Sequence, residues 1–270
     1  MNHIRSSLPE ERRPKELVLF DVDGTIIPDN TDELTGKAYW AMTEAGLITP
    51  SEEIKETLST LQKQYEARTL ENPRDYLNPL ILSFDEQLRG KSCTQLGKIA
   101  TEIVAIEYEQ NAYPEVVEEI HRWQEQGAYI GLISGSPDFI IQALKRKMGA
   151  DIATGTRYYH NQGYYHQSRR CETRSTNKDA IAERMLIALT KYRIHGLGHA
   201  SEKTPKRLGE FDLQDQFTLR SSYGDTQSDY PMLMMSSEPV AVAPKQNLRE
   251  LYSGQQGWKV LHDTPDDLAA

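Results

Sequence analysis

The run Leu17-Val18-Leu19-Phe20 ends in Asp21-Val22-Asp23-Gly24-Thr25, and this junction constrains the fold more than any other stretch of the chain. Four consecutive apolar residues suit a strand covered on both faces, as in a parallel sheet, better than a strand with one wet face. Asp21 and Asp23 then fall at its carboxyl end. Residues two apart on an extended chain point the same way, and Gly24 lets the backbone turn off at once, so both carboxylates can face one small volume. Two like charges held that close require a cation or a shared proton.

The texture on either side of this junction predicts an α/β fold. Residues 29 to about 114 read as helices, among them "DELTGKAYWAMTEAG", "SEEIKETLSTLQKQYEA" and "CTQLGKIATEIVAIEYEQ", with a break at "ENPRDYLNP". From Pro114 the pattern alternates. Helix "PEVVEEIHRWQEQG", strand "AYIGLIS", helix "PDFIIQALKRKMG" and a strand near "DIATGT" follow one another, and the rhythm resumes in "QFTLRSSYGD", "SDYPMLMMS", "PVAVAP" and "GWKVL". The expectation is a Rossmann-like parallel sheet core, residues 1–28 and 115–270, interrupted after its first strand by a helical unit, residues 29–114.

Charge and cysteine content narrow the partners. With 31 Lys and Arg against 40 Asp and Glu, the net charge is −9, which repels nucleic acid and anionic lipid surfaces. Two distant cysteines, Cys93 and Cys171, suit a reducing, cytoplasmic setting rather than a disulfide framework. The first fifteen residues are polar and lack the apolar core of a secretory signal, and no run approaches the roughly 18 apolar residues of a membrane span. No nucleic-acid or membrane partner is expected, and the oligomeric state is left open.

Chemistry in open α/β sheets collects outside the carboxyl ends of the strands, and four polar signals stand at such ends. The first is Asp21-x-Asp23-x-Thr25. A calcium loop of the EF-hand kind fails there, because Ile26 holds the required glycine position and a strand precedes it. The second is Ser134-Gly135-Ser136, whose hydroxyls and amides can hold phosphate oxygens or simply form a turn. The third is "RSTNKDAIAERM", a helix start with Thr176 or Asn177 as cap and Lys178 in the first turn, where a cation opposes the helix dipole and needs another reason to be present. The fourth is Gly224-Asp225-x-x-x-Asp229; capping accounts for one polar group there but not for two converging acids.

In that order these residues resemble the four motifs of the haloacid dehalogenase superfamily, and "ISGSPDFI" and "GDTQSDYPML" look most like its phosphoserine-phosphatase branch. The resemblance implies a phosphomonoesterase of small phosphorylated metabolites. It makes Asp21 the nucleophile that forms an aspartyl-phosphate and Asp23 the general acid and then base. Thr25, Ser134, Gly135 and Lys178 would hold the phosphoryl group. Mg²⁺ would sit on Asp21, Asp23 through its carbonyl, Asp225 and Asp229, and the helical unit would be a cap. Phosphotransfer to an alcohol and a non-catalytic phospholigand-binding module are the alternatives on the same fold.

Two departures from the branch stand out. Where phosphoserine phosphatases carry a Glu shortly after the first motif, this chain has Asn30, with Asp29, Asp32 or Glu33 as substitutes, which argues against phosphoserine. The stretch 191–215 reads as an insertion between Lys178 and Asp225. Other features read as structural. His195 and His199 flank glycines and form a surface loop rather than a metal pair. Residues 157–167 form a hairpin around Asn161-Gln162-Gly163, packed or solvated. Arg68 and Arg74 are exposed, and Gln246, Asn247 and Arg249 mark a late amphipathic helix.

Overall fold

A computed structural model describes residues 15–29, 32–70, 72–171, 177–192, 217–253 and 257–262. The polar lead-in, Asn30, Thr176, His195, His199 and most of the 191–215 segment lie outside the described residues. Among the described residues, seven strands form one sheet in the order β4-β3-β2-β1-β5-β6-β7. They are β1 (Lys15–Phe20), β2 (Tyr129–Pro137), β3 (Ile152–Asn161), β4 (Tyr164–Cys171), β5 (Phe217–Gly224), β6 (Glu238–Val242) and β7 (Lys259–Leu261). All neighbours run parallel except β3 and β4. The result is the expected Rossmann-like arrangement, with β1 at the centre.

The apolar run on β1 is buried on both faces because its side chains alternate between two cores. Val18 and Phe20 join the larger cluster with Ile130 and Leu132 of β2, while Leu17 and Leu19 join a second with Ile133, Ile152 and Leu219. The first cluster is covered by α5 (Pro114–Glu125) and α6 (Asp138–Met148), and it continues without a gap into the helical unit through Leu34, Tyr39, Tyr76 and Phe84. The second is covered by α7 (Lys178–Tyr192), through Ile181, Ala182, Met185 and Leu189, and by Met232 of α8 (Tyr230–Met235). The late helix is α9 (Gln246–Tyr252).

The helical unit contains α1 (Leu34–Glu44), α2 (Glu52–Glu66), α3 (Arg74–Leu88) and α4 (Cys93–Gln110). The predicted break at "ENPRDYLNP" is corrected in part, since α3 runs straight through Pro79. Proline there forfeits one intrahelical hydrogen bond, but Tyr76, Leu80, Phe84 and Leu88 repeat every four residues and are all buried. Burial of that stripe outweighs the local cost.

The hairpin forms as expected, with φ of +49° at Gln162 and +82° at Gly163, the left-handed pair that a tight two-residue turn requires. It is packed. Cys93 N–H donates to the Gly163 carbonyl at 2.8 Å, Gly90 N–H to the Tyr165 carbonyl at 2.9 Å, and Tyr158 Oη to Asp85 Oδ1 at 2.8 Å. The sheet thus grips the α3–α4 junction. Arg68 and Arg74 are exposed.

Behind β1 a buried polar knot fixes β5 in place. Tyr223 stacks on Phe20 with ring centroids 4.2 Å apart, accepts from Trp123 Nε1 at 2.8 Å and donates to Glu119 Oε2 at 2.6 Å. Burial alone would raise the Glu119 pKa, but hydrogen bonds from Arg122, Lys259 and Tyr223 outweigh it and hold the carboxyl at about 2. A folded-state pKa below the ordinary 4.5 means stability that is present above that value and lost as pH falls toward 2. Glu119→Gln is therefore expected to unfold at lower urea than wild type at pH 7, the gap narrowing between pH 4.5 and about 2; a gap independent of pH would contradict this assignment.

Candidate active site

The register of the central strands decides which side chains meet. Phe20 pairs with Leu132 on one side and Tyr223 on the other, so the ends of β1 and β5 bring Asp21 and Asp225 out beside Ser134, which lies on β2 two residues past Leu132. Gly24 then turns the chain back with φ of +83°, and a Cβ on it would stand 2.2 Å from Asp225 Oδ2. Glycine is needed there twice over, for the left-handed backbone and for the closeness of the two loops.

Carboxylate oxygens of Asp21, Asp225 and Asp229 lie within 4.8 Å of one another. The three residues are 5%, 1% and 0% exposed. Lys178 Nζ donates to Asp21 Oδ1 at 2.6 Å and also to Asp229 Oδ1. The cation at the first position of α7 has its reason: it lies between two buried carboxylates, whose attraction exceeds the unfavourable helix dipole. Both neighbours push the Lys178 pKa up against the effect of burial. Burial, with Asp229 and Asp225 nearby, pushes Asp21 up despite Lys178. Asp225 is pushed up to about 7, first by burial, with Lys245 opposing.

Asp229 Oδ2 also closes a capping box, accepting from Thr226 N–H at 3.0 Å and Thr226 Oγ1 at 2.9 Å. Asp225 Oδ1 accepts from Thr25 Oγ1 at 3.1 Å, whereas Asp225 Oδ2 has no hydrogen-bond partner among the described residues. The Lys245 ammonium stands 3.3 Å from that oxygen and is paired with Asp29. Three buried carboxylates share one buried ammonium, Lys178, while the half-exposed Lys245 is divided between Asp225 and Asp29, so the carboxylates outnumber the cations that face them. An all-oxygen set of this kind fits a hard divalent cation such as Mg²⁺.

Asp23 is held apart from that cluster. Its Oδ2 accepts from Ser134 Oγ at 3.0 Å and Ser136 Oγ at 2.9 Å, and its Oδ1 from the Leu34 N–H at 2.7 Å. The Asp23 carboxylate is thus a neighbour of the acidic cluster and not part of it. Thr25 and Ser134, expected at the phosphate, have their hydroxyl protons engaged on Asp225 and Asp23. The Gly135 carbonyl accepts from Thr156 Oγ1 at 2.7 Å, which ties the turn to β3. A Cβ on Gly155 would approach the Ser136 carbonyl at 2.6 Å, so the strand comes against the turn with no room for a side chain.

Sequence reasoning named Ser136 as part of the second polar signal but not its contact with Asp23, and it missed Thr35, whose hydroxyl touches that of Ser136 at 3.0 Å, and Lys245. The rule of looking where strands stop would have found Lys245, three residues past β6. Asp32, a candidate substitute for the missing Glu, is turned inward: it accepts from Tyr76 Oη at 2.7 Å, and burial pushes its pKa up to about 7. Glu33 is pushed up to about 8, by burial first and then by Asp23 and Asp29.

An acidic cluster with a buried lysine beside it stands at the carboxyl ends of the middle strands of a parallel sheet, where open α/β folds place their active sites. The haloacid dehalogenase-like hydrolase family model matches residues 18–234, and the chain belongs to that family. Similar solved structures include a protein of unknown function from Bordetella pertussis Tohama I, 18% identical with a TM-score of 0.65, covering 92% of this chain and 98% of that one. A HAD family hydrolase from Salmonella enterica serovar Typhi is 16% identical with a TM-score of 0.54, covering 94% and 70%. A phospho-aspartyl intermediate analogue of phosphoserine phosphatase is 18% identical with a TM-score of 0.50, covering 88% and 91%. No curated protein sequence matches the chain. Among the described residues, no helix is long and apolar enough to cross a membrane.

Proposed function

We propose that this hydrolase is a Mg²⁺-dependent phosphomonoesterase of small phosphorylated metabolites in the cytoplasm, working through an aspartyl-phosphate on Asp21. The observation that carries the reading is the burial of Asp21, Asp225, Asp229 and Lys178 in one cluster beside a separately held Asp23. The shared fold of a phosphoserine phosphatase caught as a phospho-aspartyl analogue supports it.

Asp21, Asp225, Asp229 and the main-chain carbonyl of Asp23 would hold the ion, which when bound supplies charge neutralisation at the phosphoryl oxygens. Asp21 attacks phosphorus, with Lys178 offsetting the repulsion between carboxylate and phosphate. Asp23 gives a proton to the leaving oxygen and later takes one from the attacking water. Lys178 and the turn at Gly135 position the transferring group, while Thr25 and Ser134 hold Asp225 and Asp23 in place beside it. Residues 29–114 act as a cap over the core formed by 1–28 and 115–270. Their first helix already reaches Asp23 through the Leu34 N–H, which supports a lid that excludes water and selects substrate.

The test is inorganic phosphate release from a panel of phosphorylated metabolites and p-nitrophenyl phosphate, with Mg²⁺ and with chelator. Release is expected to need the metal. Asp23→Asn removes proton donation, so alkyl esters should lose roughly 10²- to 10⁴-fold and aryl phosphates, whose oxygen leaves unaided, far less. Equal losses on both would remove Asp23 from the acid role, and full activity in chelator would remove the metal.

A further inference from the structure

The hydroxyls around Asp23 determine which of its oxygens is open to a proton. Ser134 Oγ accepts the Ser136 N–H at 2.9 Å and donates to Asp23 Oδ2; Ser136 Oγ donates to the same oxygen. A hydroxyl has one proton, and that of Ser136 is committed to Asp23. The 3.0 Å contact between Ser136 Oγ and Thr35 Oγ1 must then be donated by Thr35. Donation therefore runs from Thr35 to Ser136 to Asp23. Each carboxylate oxygen has about two lone-pair sites. Both sites of Oδ2 are filled, whereas Oδ1 accepts only the Leu34 N–H among the described residues.

We propose that Ser136, oriented by Thr35, is a positioning residue that reserves Asp23 Oδ1 for the proton delivered to the leaving group. The inference rests on the phosphatase reading and adds to it a residue outside the acidic cluster. In the first half-reaction a bond forms between Asp21 and phosphorus while the ester P–O bond breaks. Its electron pair stays on the leaving oxygen, and the Asp23 proton moves to that oxygen. Without the Ser136 hydroxyl, Oδ2 regains an open lone pair, the proton is shared between two oxygens, and the carboxyl is free to rotate. Ser134, Ser136 and Thr35 are 0%, 2% and 5% exposed, so bulk water has no ready access to replace the lost donor. Thr35 belongs to α1, so the chain of donation begins in the helical unit and ends on the acid.

The test compares kcat on an alkyl phosphate and on p-nitrophenyl phosphate for wild type, Asp23→Asn, Ser136→Ala, Ser136→Thr and Thr35→Val. Ser136→Ala is expected to lose roughly 10- to 100-fold on the alkyl ester, several-fold less on the aryl ester, with the loss in kcat rather than KM. Ser136→Thr, which keeps the hydroxyl, should recover most of it. Thr35→Val, which removes the donor behind Ser136 at nearly constant shape, should shift the same alkyl-to-aryl ratio by less; it carries the test alone if Ser136→Ala does not fold. Equal losses on both esters, or a loss carried by KM, would overturn the role of Ser136 while a leaving-group effect in Asp23→Asn left the phosphatase reading standing. A wild-type protein inactive on every ester would overturn both.

Discussion

Purified Asp21→Asn protein is expected to lose phosphate release by at least roughly 10⁴-fold on aryl and alkyl esters alike, while remaining folded. The amide nitrogen and oxygen are poor nucleophiles toward phosphorus, so the covalent route closes whatever the leaving group. That uniform loss separates Asp21 from Asp23, whose replacement should discriminate between esters. Asparagine has the shape of aspartate and keeps an oxygen for the Lys178 ammonium, now 2.6 Å from Asp21 Oδ1. It also removes one charge from a cluster in which Asp229 and Asp225 already push the Asp21 pKa up. The melting temperature in chelator should therefore equal or exceed that of wild type, a loss of function without a loss of stability. Turnover near the wild-type level would exclude the aspartyl-phosphate route.

Asp21 and Asp23 were legible because a period of two and a buried strand are both local properties. Lys178 was legible as an anomaly, a cation on the wrong end of a helix, and the structure supplies its two carboxylate partners. The strand and helix order from Pro114 onward follows from alternating texture. Pro79 misled because local propensity says nothing of the buried Tyr76-Leu80-Phe84 stripe that carries the helix past it. The partners of each polar group were not legible at all. That Ser136 and Ser134 both turn to one oxygen of Asp23, and that the Thr25 hydroxyl goes to Asp225, depends on the register of β1 against β2 and β5. Lys245 reaches Asp225 and Asp29 from positions 20 and 216 residues away, a separation no motif spacing encodes.

Replacing Lys178 tests the electrostatics of the whole cluster. Its ammonium is the buried counter-charge to Asp21 and Asp229, and side-chain exposures of 7%, 8% and 0% leave little water to take its place. Removing one partner of such a group costs about 3–5 kcal/mol, because the carboxylates stay buried without compensation. Lys178→Met keeps the aliphatic length that packs at the start of α7, so the lost stability reports charge rather than volume. In chelator the urea midpoint should fall accordingly. Activity should fall by roughly 10²- to 10³-fold, the usual effect of losing one preorganised cationic donor. Two further results tie both losses to the carboxylates. Adding Asp229→Asn to Lys178→Met should return part of the stability, a coupling that a double-mutant cycle measures directly. Mg²⁺ should raise the melting temperature of Lys178→Met by more than that of wild type, since an ion that binds only the folded chain stabilises it in proportion to its affinity, and the variant has one more uncompensated negative charge to attract it. Independent, additive effects of the two substitutions, together with equal Mg²⁺ shifts in variant and wild type, would mean that Lys178 anchors the helix and does not serve the acidic cluster.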